Sequence, residues 1–204
     1  MDNSSFLKGM ISWHKLAFDL QLHVNSHHSY SSKWYTWPFM YKPLLIFWQF
    51  NPLNKQITSI IGLGNPIIWW SGILAILFQI FLILSGKGNK IINFLVGTYF
   101  IAFLPYAFIP RPMFLYHYLP ALFILILILE YTFVHFYTEK KYLRPFLISW
   151  ISLVVLFYFY LYPLANGYSL SSSDYKNRLL LNSWKKCLLA EPIEYSKKKY
   201  HAKS

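Results

Sequence analysis

Residues 66–84 read PIIWWSGILAILFQIFLIL, nineteen residues with no charge and only Ser71 and Gln79 as hydrophilic side chains. As an α-helix rising 1.5 Å per residue, such a stretch is about 28 Å long. That matches a hydrocarbon core of roughly 30 Å. Backbone groups in lipid must satisfy one another within the segment, so the stretch predicts a membrane-spanning helix. Its leading flank, Gly62-Leu63-Gly64-Asn65-Pro66, reads as a turn that delivers the chain into the helix. A phosphate-loop reading of these glycines is disfavoured: no strand is expected before them and the remaining glycines are missing.

Three more runs follow the first. Ile91 to Ile109 is uncharged, Met113 to Phe136 is interrupted late by Glu130 and His135, and Pro145 to Pro163 is uncharged again. Each is long enough to span. The breaks are short: a polar turn from Ser85 to Lys90, a tight corner Pro110-Arg111-Pro112, and Tyr137 to Arg144 with Lys140, Lys141 and Arg144. Prolines end one helix and open the next. No internal repeat is evident, which disfavours a small transporter.

Composition agrees. Of 204 residues, 56% are hydrophobic, 21% aromatic and 13% charged, which excludes disorder. Cys187 is the only cysteine, so no disulfide forms within the chain. The net charge of +12 accompanies long uncharged runs. It therefore indicates a membrane protein with basic ends, and no nucleic-acid partner is expected. The seven acids are Asp2, Asp19, Glu130, Glu139, Asp174, Glu191 and Glu194, and none lies between Leu20 and Leu129. Group transfer commonly needs a carboxylate as general base. If this chain serves such chemistry, the base comes from elsewhere.

The expected architecture is an all-α integral membrane fold in three parts. Residues 1–65 form an amphipathic helix and an extracytoplasmic aromatic loop, residues 66–163 a four-helix membrane region, and residues 164–204 a polar, basic tail ending in Lys197-Lys198-Lys199. Phe6, Met10, Trp13, Ala17 and Leu20 share one helix face, with Lys8, Lys15 and Asp19 off it. That helix suits either the membrane interface or a partner domain. His28 to Tyr41, dense in Trp, Tyr, Ser and Pro, suits a loop at the headgroups.

Three features invite chemical readings. His23, His27 and His28 have metal-like spacing but no Asp, Glu or Cys beside them, so neither a metal site nor a cofactor is expected. Glu130, an ionisable group in an apolar run, is read as structural, pairing with Lys140 or Lys141. Arg111 is the only formal charge between Lys90 and Glu130, and Tyr116, His117 and Tyr118 follow it. Two readings of Arg111 stand level: a guanidinium fork for a phosphate headgroup, or an interfacial Arg snorkelling among belt aromatics.

The segment His28-Ser29-Tyr30-Ser31-Ser32-Lys33-Trp34-Tyr35-Thr36-Trp37-Pro38 resembles the His-Pro-Tyr-x-Ser-x-x-x-x-Trp-Pro segment of protein O-mannosyltransferases. Leu63-Gly64-Asn65-Pro66 with Trp69-Trp70 looks like the start of the next membrane helix in that family. Arg111 to Pro120, RPMFLYHYLP, is similar to another of its signatures. The stretch from Tyr162-Pro163 through Gly167 to Trp184 resembles its C-terminal segment. One departure is Ser29, where the family usually has Pro.

The resemblance implies the C-terminal four-span part of a C-type glycosyltransferase. Such an enzyme moves mannose from a polyprenyl (dolichyl) phosphate to Ser or Thr of an acceptor protein. It sits in the bacterial inner membrane or the endoplasmic reticulum membrane. Its acidic catalytic motif belongs to an earlier loop with no counterpart in these residues. No catalytic residue is therefore assigned, the chain by itself is expected to be inactive, and an N-terminal catalytic portion or split subunit is the expected partner. The inverting reaction activates an acceptor hydroxyl while the lipid phosphate leaves, and fixed donors stabilise that phosphate. Arg111, His117, Lys33 and His28 are the candidates for lipid-phosphate or acceptor binding, on their chemistry alone. The competing reading is a non-catalytic membrane subunit, or a decayed copy, that binds a partner glycosyltransferase.

Overall fold

The computed structural model describes residues 3–22 and 28–189. His23, His27, Glu191, Glu194 and the Lys197-Lys198-Lys199 run lie outside the described residues. An N-terminal helix, α1 (Asn3–Leu22), precedes a hairpin of β1 (Leu44–Asn51) and β2 (Gln56–Gly62). Then come α2 (Pro66–Leu84), α3 (Lys90–Phe103), α4 (Leu119–Glu139) and α5 (Arg144–Ala165). A short strand, β3 (Ser169–Ser171), and α6 (Ser172–Arg178) follow, with a last helical stretch at 182–189.

Four helical segments are long and apolar enough to cross a membrane, at 66–84, 90–108, 115–139 and 141–165. Their ends have local causes. Asn65 caps α2, its Oδ1 accepting the Ile67 N–H at 3.0 Å, with Pro66 in the first turn. Asn89 caps α3 in the same way through the Ile92 N–H. α3 tightens into a 3-10 turn over Leu104–Phe108, where Pro105 removes a backbone donor. The expected third span begins later than its apolar run: Leu115–Tyr118 is a 3-10 turn and α4 proper starts at Leu119.

α4 lies at the centre of the bundle, with α2 and α3 packed along it and α5 against both α2 and α4. Small residues permit the approach. Gly72 faces Leu125, and Ala75 and Ala121 are buried. A buried polar contact joins α2 to α4: Gln79 Nε2 donates to Thr132 Oγ1 at 2.8 Å, and Thr132 Oγ1 donates to the Ile128 carbonyl at 2.7 Å. Outward side chains such as Leu74, Phe94, Ile101, Phe123 and Ile148 are exposed, as lipid-facing residues must be.

The start of α2, the end of α5 and the corner at 109–114 gather at one end of the bundle, where residues 28–65 and 166–189 pack as a cap. The loop expected at residues 28–65 is only partly a loop. β1, β2 and β3 form an antiparallel sheet in that order, and β2 packs on α5. In β2 the alternation is visible, with Ile57, Ser59 and Ile61 buried. In β1 it is hidden, because LLIFWQF is apolar on both faces and carries no period-two signal. β2 also supplies the strand thought to be missing before Gly62-Leu63-Gly64. The glycines nevertheless hold no phosphate cradle, because the Trp69 ring fills the space beside Gly64.

α1 is the expected helix, and its described side chains lie almost wholly exposed. Glu130 does not pair with Lys140 or Lys141: it is exposed on α4, and ten residues of helix put Lys140 about 15 Å further along the axis.

A candidate anion-binding cleft

Two segments far apart in sequence meet at the capped end. The first runs through a turn at 28–31 and a 3-10 helix, Trp34–Phe39, and the second is the Pro110-Arg111-Pro112 corner. The Ser31 N–H donates to the His28 carbonyl at 2.9 Å, closing a turn whose second position is Ser29. That is the position at which proline is favoured, so serine keeps the turn but not its preset φ. The Ser32 N–H then donates to the Met113 carbonyl at 2.7 Å and ties the two segments together.

Beneath this junction lies a hydrogen-bonded stack of aromatics. Trp37 is fully buried and its Nε1 donates to Ser32 Oγ at 2.9 Å. Its carbonyl accepts from Trp69 Nε1 at 2.9 Å. Met40 is fully buried as well, and takes φ 51°, a left-handed conformation rare outside glycine. Three contacts hold it there: its N–H donates to the Trp37 carbonyl, its carbonyl accepts from Trp184 Nε1 at 2.7 Å, and its sulfur accepts from the Gly64 N–H. This reversal at Met40 returns Lys42 to the same rim as Lys33.

The result is a cleft of about 560 Å³ lined by His28, Lys33, Lys42 and Arg111, together with Ser31, Ser32 and aromatic and proline side chains. Among the described residues, its lining includes no Asp or Glu. Lys33 Nζ lies 5.9 Å from the Tyr35 ring centroid, and His28 Nδ1 accepts the Tyr30 N–H at 3.2 Å. Several basic side chains concentrated in one cleft, backed by the buried Trp37 ring, favour an anion.

Three of the four sequence candidates, His28, Lys33 and Arg111, are thus brought together. His117 is not among the lining side chains. Its ring is stacked between Tyr116, at 4.3 Å, and Trp37, at 6.0 Å, and its Nδ1 sits 3.2 Å from the Phe114 amide nitrogen. It supports the cleft from behind. Lys42 went unnoticed in the sequence, because it falls beyond the aromatic motif and only the turn at Met40 brings it in. Ser31 and Ser32 stood inside the motif, but nothing in their type distinguished them from loop serines.

Comparison with known proteins gives a consistent result. A family model described as the C-terminal four TMM region of protein-O-mannosyltransferase matches residues 6–184. Dolichyl-phosphate-mannose--protein mannosyltransferase 5 of Saccharomyces cerevisiae is 29% identical over 202 residues, covering 88% of this chain and 26% of the relative. Dolichyl-phosphate-mannose--protein mannosyltransferase 1 of Schizosaccharomyces pombe is 30% identical over 134 residues, covering 58% of this chain and 14% of the relative. The chain spans about a quarter or less of the length of these relatives. Among solved structures, the S. cerevisiae protein O-mannosyltransferase Pmt1-Pmt2 complex bound to the sugar donor matches with a TM-score of 0.69 at 22% identity. The match covers 93% of this chain and 29% of that one, and it shows a shared fold.

Proposed function

This chain belongs to the protein O-mannosyltransferase family, as its C-terminal four-span region and a multi-pass integral membrane protein, and from that premise we propose that its cleft holds the phosphate of a polyprenyl-phosphate-mannose donor. The reading makes the chain the membrane portion of a mannosyltransferase acting on Ser or Thr of proteins. The observation that carries it is the convergence of Lys33, Lys42, Arg111 and His28 in one cleft. The cleft sits at the end of the bundle, within reach of a headgroup whose polyprenyl tail lies along the outward apolar faces.

Chemically, these side chains bind and orient rather than abstract a proton. In an inverting transfer the anomeric carbon–oxygen bond to phosphate breaks as the acceptor oxygen attacks, and negative charge grows on the leaving phosphate. The fork of Arg111 and the ammonium groups of Lys33 and Lys42 stabilise that charge without reorganising. In this reading the base for the acceptor hydroxyl comes from another segment or subunit.

The test is direct binding of polyprenyl phosphate to the full chain in nanodiscs. Arg111→Ala removes a charge-assisted hydrogen bond of about 1.5–3 kcal/mol. That predicts an affinity loss of roughly ten- to hundredfold, at 1.4 kcal/mol per decade. Arg111→Lys restores only part of it, because the ammonium lacks the planar fork. Unchanged affinity in both variants refutes the phosphate role and leaves Arg111 a snorkelling interfacial residue.

A further inference from the structure

We infer that the free edge of β1 is the docking track for the acceptor polypeptide, which adds to the sheet as a further strand. This rests on the reading of the cleft as a donor-phosphate site. The sheet order β1-β2-β3 leaves one side of β1 without a strand, and among the described elements only β2 packs extensively on it. In an antiparallel pair, alternate residues turn their N–H and C=O groups away from the partner. Half of the backbone groups of β1 therefore point to an open side.

Folded proteins usually blunt such an edge with lysine, proline or brevity. β1 has none of these. It is eight residues long, reads LLIFWQFN and carries no charge. One irregularity falls between Leu45 and Phe47, at the cleft end, and from Phe47 to Asn51 the register with β2 is unbroken. Ile46 and Phe47 are exposed beside this edge. Such a strand is a template for main-chain pairing.

Continuity with the cleft identifies the occupant. Lys42 lines the cleft and β1 starts two residues later, at Leu44. At about 3.4 Å per residue and about 4.8 Å between strands, a polypeptide lying along β1 has one end about 8 Å from the Lys42 backbone. A hydroxyl on that end is delivered to the mouth of the donor site. Strand addition reads an extended backbone more than a sequence. That suits an acceptor defined only by a Ser or Thr hydroxyl in an unfolded stretch, and the uncharged strand sets no charge requirement of its own.

The experiment measures the binding of a labelled Ser/Thr-containing peptide to the full chain in nanodiscs containing polyprenyl phosphate. The peptide alternates large and small side chains, so a one-residue slip would turn its faces over. Three versions are compared: unmodified, N-methylated at odd positions and N-methylated at even positions. Only one alternate set of N–H groups meets β1, so one methylated peptide weakens by tenfold or more while the other stays within about threefold of the parent. Phe47→Lys lowers peptide affinity at least threefold and leaves polyprenyl-phosphate affinity unchanged. Equal affinity of the three peptides, in protein that still binds polyprenyl phosphate, overturns the strand track alone. Equal affinity together with no polyprenyl-phosphate binding overturns both readings. A dimer of the chain that Phe47→Lys dissociates, with no peptide bound, assigns the edge to a second copy and overturns the proposal as well.

Discussion

Gly64→Ala should damage the cleft although Gly64 does not line it. A methyl group built on Gly64 falls 2.1 Å from Cε3 and Cζ3 of Trp69. Carbon atoms pack at about 3.5–4.0 Å, so the indole must retreat by roughly 1.4 Å. Trp69 is only 4% exposed, and its Nε1 donates to the Trp37 carbonyl at 2.9 Å. A retreat of that size stretches the bond past its working range. Forced overpacking costs about 1–3 kcal/mol, and a stranded buried donor adds roughly 1–3 kcal/mol. The expected destabilisation is therefore about 2–6 kcal/mol, read by denaturant unfolding in bicelles. Trp37 also donates to Ser32, which is tied to Met113, so polyprenyl-phosphate affinity should fall with stability. A double variant isolates the cause. With Trp69→Leu the ring is gone, and Gly64→Ala should then cost under about 1 kcal/mol, a strong departure from additivity. Additive effects, or a Gly64→Ala protein within about 0.5 kcal/mol of the parent, would refute the close-approach argument.

Two further outcomes are expected. Removing both ends of the buried Gln79–Thr132 contact, with Gln79→Leu and Thr132→Val, should give a double-mutant coupling of roughly 0.6–1.7 kcal/mol in unfolding; a coupling near zero would deny that contact any role in joining α2 to α4. A reporter fused after Ser204 should be active only outside the cytoplasm, because the short loops 85–90 and 137–144 hold Lys87, Lys90, Lys140, Lys141 and Arg144 against Arg111 alone in the opposite short loop; cytoplasmic reporter activity in a cell supplying the natural partner would reverse the orientation.

The membrane helices were legible because lipid imposes a single requirement on them. A run of about 19 or more apolar residues bounded by Pro, Asn or Lys leaves one solution, and Asn65 and Asn89 cap helices near where the runs begin. The same uniformity hides everything set by packing. α4 is the hub because Gly72, Ala75 and Ala121 let its neighbours approach, yet these residues look like any other small residues in an apolar run. The sheet was illegible for a related reason. β1 is apolar on both faces, and its β2 partner shows alternation over only seven residues, too little to separate from a loop rich in isoleucine.

For the cleft, residue type announced the candidates but could not sort them. Arg111 stood out because its surroundings are uncharged, and His117 stood out for its neighbours Tyr116 and Tyr118. Their fates differ by geometry alone. The 3-10 turn Leu115–Tyr118 stacks the His117 ring on Trp37, whereas the prolines on either side of Arg111 hold its corner at the cleft wall. The cleft itself exists only because residues some 80 positions apart, Ser32 and Met113, share a hydrogen bond. Met40, Gly64, Trp69 and Trp184 fix the angle at which they meet. An ion-binding role for Lys33 or Lys42 is therefore a property of that junction, and any substitution that loosens the Trp37 stack should weaken anion binding while leaving all four membrane helices in place.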